Sequence, residues 1–192
     1  MGNYLITSTF IGASLDSKLF LNLYVELNEY ITRNNLKDAI VLQDIHSIHT
    51  TLHYLDENFS QEKLKRIQLR LATLGKDIEF IKINHINYFY DNYKEKICYF
   101  ELFNSERLSE INKRLKVIFP SNVQENSYKY IPHVTLFKIK EYAEFKKHQK
   151  NIEKIILYFL EQIATKSFKT TINIFLVNSC FEPELQIPFH DE

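Results

Sequence analysis

Histidine is the side chain whose ordinary pKa, ~6.5, lets it give or take a proton near neutrality, and two of the seven histidines in this chain stand in the same local setting. Ile48-His49-Thr50-Thr51-Leu52 and Pro132-His133-Val134-Thr135-Leu136 both read His-x-Thr-Leu inside a short run of strand character. Successive side chains on a strand point to opposite faces, so His49 shares a face with Thr51, and His133 with Thr135. Each segment then offers one imidazole beside one hydroxyl. Set face to face, the two segments supply two proton-transfer groups and two neutral hydrogen-bond donors. Cleavage of a phosphodiester needs that set: a base for water or a ribose hydroxyl, an acid for the leaving oxygen, and donors for the charged non-bridging oxygens. His49, His133, Thr51 and Thr135 are therefore the candidate catalytic residues. This chemistry requires no metal, and no cofactor is expected.

The same parity places His53 with His49 and Thr51, and Phe137 with His133 and Thr135, as candidate substrate contacts. Tyr130, just before the second motif, can stack on a base, as Phe137 can. Lys138 brings a positive charge close to the second motif. Strict alternation turns it to the face opposite His133, however, so a phosphate contact there requires a bulge or a strand end. The trio His46, His49 and His53 invites a metal reading. On a strand the odd offset from 46 to 49 splits the faces, and no carboxylate or Cys is spaced as a fourth ligand. The basic runs Lys63, Lys65, Arg66, Arg70 and Lys146, Lys147, Lys150 read as solvated helix faces rather than tracks for RNA.

Around these segments the composition is that of a soluble globular chain: 192 residues, 45% hydrophobic, 25% charged and few Gly or Pro. Acidic and basic residues balance to a formal net charge of +0. Grip on an extended duplex needs a basic surface that displaces counterions, so the expected partner is a nucleotide or short oligonucleotide. Two cysteines, Cys98 and Cys180, lie in apolar runs and read as buried free thiols, which points to a reducing, cytoplasmic setting. No secretory signal layout is present. Met1-Gly2 lacks the Ser or Thr that an acylation signal wants at the position of Ile6. No apolar run reaches membrane-spanning length, and a monomer is expected.

The elements that must carry the motifs follow from periodicity. A first strand spans 4–11, closed by Gly12. Ser14 or Asp16 caps a helix that runs to Arg33, with Leu19, Leu23, Leu27 and Tyr30 or Ile31 inward and Asn34-Asn35 as its stop. Residues 39–42 form a short strand, and 47–55 the strand of the first motif. Ser60 caps a second helix, with Leu64, Ile67, Leu71 and Leu74 on one face and Gly75 as its stop. A long strand over 77–90, with a bulge or bend near Asn84, turns at 91–94 and returns over 97–103. Ser105 caps a third helix that buries Leu108, Ile111, Leu115 and Ile118 and ends at Pro120. A polar loop covers 121–129, and the second motif lies on a strand over 131–139. A long helix over 142–164 follows, then a hairpin over 168–178 and 184–189 about Glu182-Pro183. A strand, a helix and a His-x-Thr strand thus occur in each half of the chain. The expected fold is α+β: a single bilobal domain over 1–192, its two sheet-and-helix lobes related by a pseudo-twofold around a central cleft.

The doubled His-x-Thr resembles the 2H phosphoesterase superfamily, which includes the bacterial 2′-5′ RNA ligase/2′,3′-cyclic phosphodiesterase group. "HTTLHYL" is similar to its first motif and "PHVTLFK" to its second, and the order of elements agrees over nearly the whole chain. The resemblance implies a metal-independent phosphodiesterase with His49 and His133 as the acid/base pair and Thr51 and Thr135 on the phosphate. Its expected targets are 2′,3′-cyclic or 2′-5′ linkages of RNA. Small cyclic or linear oligonucleotide messengers are the second expectation, and a non-catalytic nucleotide-binding module the third. Two positions depart from the RNA-ligase-type pattern: Asp56 follows the first motif where Gly is common, and Lys138 stands where Arg is. Lysine keeps the charge but loses the two-pronged geometry that suits phosphate.

Overall fold

The computed structural model describes residues 6–55, 65–67, 69, 81–103, 106–120, 130–168, 170–178 and 183–188. Strand β1 spans Ile6–Leu15 and passes straight through Gly12, because Ala13 and Leu15 continue the buried face beyond it. Asp16 then caps a short 3-10 turn, Ser17–Phe20, by accepting from the Lys18 amide at 3.0 Å. Helix α1, Leu21–Arg33, follows. The tighter turn rotates the apolar stripe by one position. Phe20, Leu23, Tyr24, Leu27 and Ile31 face inward, whereas Leu19, expected in that stripe, is 36% exposed. Asn35 adopts the left-handed conformation (φ 55) just past the helix, and the Leu36 amide closes back on the Ile31 carbonyl at 2.9 Å.

Strand β2 is Ile40–Leu42, and the first motif lies on β3, His49–Leu55. The hairpin of β4, Lys82–Asp91, and β5, Lys94–Phe103, turns through Asn92 and Tyr93, both at positive φ. Its register slips at Asn84, where a bend is expected. Helix α2, Glu106–Ile118, buries Leu108, Ile111 and Leu115 together with Asn112. The second motif lies on β6, His133–Ile139. Helix α3, Tyr142–Ile163, and the pair β7, Thr170–Asn178, and β8, Pro183–Pro188, complete the chain. Residues 65–67 and 69 are helical, with Ile67 buried. Ser60, Leu64, Leu71, Leu74, Gly75, Ser105, Cys180 and the loop 121–129 lie outside the described residues.

The described strands form two antiparallel sheets, β3-β1-β7-β8 and β2-β6-β5-β4, making the protein α+β. Among the described residues the first motif is therefore on an edge strand and the second on an interior one. Helix α3 packs on α1 and on β4 and β5, α2 packs on β3, and β3 meets β6. Between them runs a core rich in phenylalanine. Phe20 contacts Phe100, Phe159 and Phe168, with ring centroids 5.7–6.2 Å apart. Cys98 is a fully buried free thiol within the same cluster. No helix among the described residues is long and apolar enough to cross a membrane.

Phe100 is fully buried, whereas Val117 is 82% exposed. Phe100→Ala is expected to destabilise the fold by about 3–5 kcal/mol, and Val117→Ala by no more than about 0.5 kcal/mol. Urea denaturation measures both, and similar losses from the two would contradict this core.

Candidate active site

The two motif strands share one feature that strict alternation misses. Along β1 and β3, Ile11 pairs with His53 and the next residue, Gly12, with Thr51, so Leu52 is an extra residue. Along β5 and β6, Cys98 pairs with Phe137 and Tyr99 with Thr135, so Leu136 is extra in the same way. A bulge of this kind flips the face of everything beyond it. Burial follows the same order on both strands: half-buried His, buried residue, half-buried Thr, two buried residues, an exposed one, a buried one.

Two expectations are corrected by it. His53 turns inward and is 5% exposed, its Nε2 2.7 Å from the Phe119 carbonyl at the end of α2. Phe137 turns into the core, fully buried, with its ring centroid 6.0 Å from that of Phe145. Neither shares the face of the motif histidines. Lys138 moves the other way: it is exposed, on the side of the strand that carries His133 and Thr135. Tyr54 holds the corresponding position after the first motif and is 53% exposed. Tyr130 lies half-buried beside the first motif, its hydroxyl donating to the Thr51 carbonyl at 2.8 Å.

The two imidazoles are held alike. His49 Nδ1 is 2.6 Å from the Ser47 carbonyl, and His133 Nδ1 is 2.7 Å from the Ile131 carbonyl, each two residues upstream. A carbonyl can only accept, so Nδ1 must carry the proton in both rings. In the neutral form the lone pair then sits on Nε2. Aromatic rings support both from behind. His49 lies against Phe10, centroids 4.8 Å apart, and Phe10 in turn meets Tyr54 edge-on at 5.9 Å. His133 meets the edges of Phe89 at 4.8 Å and Tyr99 at 5.2 Å, and those two stack on each other at 4.2 Å.

This apolar backing opposes charge. Burial lowers the pKa of His49 to about 4; the Ser47 carbonyl works against that shift, and the nearby His133 adds to it. Burial lowers His133 as well, against the pull of the Ile131 carbonyl. The influence of His133 on His49, with the contact of β3 and β6, puts the two motifs in one place. Both shifts favour the neutral rings, in which Nε2 carries the lone pair.

Sequence reasoning missed the aromatic supports, because Phe10, Phe89 and Tyr99 belong to other strands and enter only through pairing register. It also missed Glu101, which pairs with His133 across β5 and β6 and bonds His85 Nε2 at 3.0 Å. A cavity of about 330 Å³ opens beside the second motif, lined in part by Glu101, Ser109, Lys113 and Ile131. No group of three or more His, Cys, Asp or Glu among the described residues is placed to hold a metal ion.

No protein-family model matches the sequence, and no curated protein does. Solved structures with the same fold do exist. TT0787 of Thermus thermophilus aligns with a TM-score of 0.54 at 15% identity, over 70% of this chain and 75% of that one. ATU0111 of Agrobacterium tumefaciens, described as a conserved protein of unknown function, gives a TM-score of 0.64 at 10% identity, over 95% of this chain and 85% of that one. Usb1 of Kluyveromyces marxianus gives a TM-score of 0.51 at 11% identity, over 96% of this chain and 98% of that one. At these identities the likeness is one of fold.

The lowered pKa of His49 has a measurable sign. The unfolded chain takes up a proton near pH 6.5, but folded His49 holds out until about 4. Its contribution to stability is therefore complete above pH 6.5 and falls between 6.5 and about 4, by at most ~1.4 kcal/mol per pH unit. An NMR titration should find the His49 ring neutral, with its proton on Nδ1, down to about pH 5. A midpoint near 6.5 would contradict the burial of this ring.

Proposed function

We propose that the chain is a phosphodiesterase of the 2H type, cleaving nucleotide phosphodiesters between two His-x-Thr motifs without a metal. The observation that carries this reading is the matched pair of imidazoles. Each is tied through Nδ1 to the carbonyl two residues upstream, and each offers Nε2 beside a threonine. The fold shared with TT0787 and Usb1 supports membership of the 2H superfamily at the level of architecture. The matched burial order and matched bulges support reading the halves as lobes related by a pseudo-twofold.

In this mechanism one neutral imidazole removes a proton from water, whose oxygen attacks phosphorus. The other, protonated, gives its proton to the departing ribose oxygen. Thr51 and Thr135 donate to the non-bridging oxygens. Lys138, carried to the motif face by the β6 bulge, offers a point charge to the same phosphate. A phosphodiester anion bound between the rings favours their charged forms and offsets the penalty of burial. The cavity of about 330 Å³ that reaches Ile131 and Pro132, just ahead of His133, has room for a nucleoside. The substrates proposed are 2′,3′-cyclic or 2′-5′ linkages of RNA, and the overall charge balance suits small molecules of this class over long duplexes.

His49→Ala and His133→Ala are each expected to lower kcat by ~10²- to 10⁴-fold on a panel of 2′,3′-cyclic nucleotides, 2′-5′ oligoadenylates and cyclic dinucleotides. Activity that survives both substitutions, or absence of activity across the panel, removes the enzyme reading. The free enzyme is competent with one ring neutral and the other protonated. Because both pKa values lie below 6.5, kcat/KM should peak on the acid side of that value. A peak above about pH 7.5 would contradict the assignment of the two histidines as acid and base.

A further inference from the structure

Among the described residues β3 has β1 on one side and no strand on the other, whereas its counterpart β6 lies between β2 and β5. Both nonetheless carry the same extra residue, Leu52 in one and Leu136 in the other. An extra residue disturbs the ladder and leaves main-chain groups to be satisfied by other means. In β6 the adjoining chain does this: the Gln43 amide, just past β2, donates to the Leu136 carbonyl at 2.9 Å. In β3 two side chains do it instead. Asn112 Nδ2, from α2, donates to the Leu52 carbonyl at 2.6 Å, and Tyr130 Oη donates to the Thr51 carbonyl at 2.8 Å. Among the described residues, an amide and a phenol stand on β3 where β6 has a neighbouring strand.

Asn112 stands in the inward stripe of α2 between Ile111 and Leu115 and is only 5% exposed. Burying an amide there is unfavourable unless it is bonded, and the bulge carbonyl supplies that bond. Tyr130 lies three residues before His133. Its hydrogen bond therefore joins the lead-in of the second motif to the threonine of the first.

We infer that Asn112 and Tyr130 are positioning residues for the first motif, which hold the β3 bulge and thereby set His49 and Thr51 against the second motif. The inference rests on the phosphodiesterase reading of the site. It also gives Tyr130 a role different from base stacking, since the hydroxyl is the working group and is fixed on the strand.

Tyr130→Phe keeps the ring and removes only the hydroxyl, while Asn112→Ala and Asn112→Asp remove the amide donor. On a 2′,3′-cyclic nucleotide, Tyr130→Phe should lower kcat by ~10- to 100-fold, with KM changed by no more than about three-fold, as expected for misplacement of a reacting group. Amide hydrogen exchange in the variant should quicken at Thr51, Leu52 and His53 and stay as in the parent at Thr135, Leu136 and Phe137. A stacking role would leave Tyr130→Phe at the parent kcat, and that result overturns the proposal. So does a fall in thermal stability with kcat per folded molecule unchanged, or exchange that rises equally in both motif strands. Exchange is read without substrate, so the clamp and the activity are decided separately. Unchanged exchange at Thr51, Leu52 and His53 removes the clamp even in an active enzyme. Local quickening in a protein that cleaves nothing on the panel keeps the clamp and removes the phosphodiesterase reading. If the Asn112 variants do not fold, Tyr130→Phe alone decides.

Discussion

The arrangement at the centre of this molecule depends on one hydrogen bond made twice. A histidine Nδ1 donates to the carbonyl two residues earlier, 2.6 Å away in the first motif and 2.7 Å in the second. Each bond selects a tautomer, fixes a ring orientation and leaves Nε2 as the one nitrogen able to exchange a proton with a ligand. It also works against burial, since a donor bond from Nδ1 favours the protonated ring. Without it, the aromatic surfaces of Phe10, Phe89 and Tyr99 would depress the two basicities further.

Those surfaces give the site its second property. Two imidazoles backed by phenyl and phenol rings sit in a place unfavourable to positive charge. Burial of this kind favours the neutral rings, and an anion placed between them would favour their protonated forms. The two sheets contribute equally, one imidazole and one threonine each, and the bulges let a short strand serve both purposes. Up to the extra leucine its alternate residues face the site and the core. Beyond it, Tyr54 and Lys138 face outward while His53 and Phe137 anchor the strand.

Much of this could be read from the residues alone. The pairing of His with Thr at i and i+2 follows from strand parity, and the structure keeps it. In α3, Phe145, Ile152, Ile155, Ile156, Phe159 and Ile163 recur at helical period, and all are buried but Ile155, which is partly so. What escaped was register. A bulge is a relation between a strand and its partner, and nothing in His49–Leu55 or His133–Ile139 alone records that Gly12 pairs with Thr51 while Ile11 pairs with His53. Hence strict alternation puts His53 and Phe137 on the motif face although they lie inward, and makes a contact by Lys138 depend on a bulge, which β6 has. Leu19 gave way to Phe20 for a similar local reason, a 3-10 turn ahead of α1. Asn112 did leave a trace in the sequence, a polar residue in an apolar stripe, but its partner is 60 residues away and visible only in the fold.

In the proposed mechanism both Nε2 atoms address one phosphate. The most direct measurement is a crystal structure of the protein with a non-hydrolysable nucleotide phosphonate. It should place a single phosphorus between the motifs, with Nε2 of His49 on one side, Nε2 of His133 on the other, and the Thr51 and Thr135 hydroxyls on its non-bridging oxygens, each at ~2.6–3.2 Å. A nucleotide seated elsewhere, or touching one motif while the other histidine faces empty space with no closure between the sheets, would contradict it.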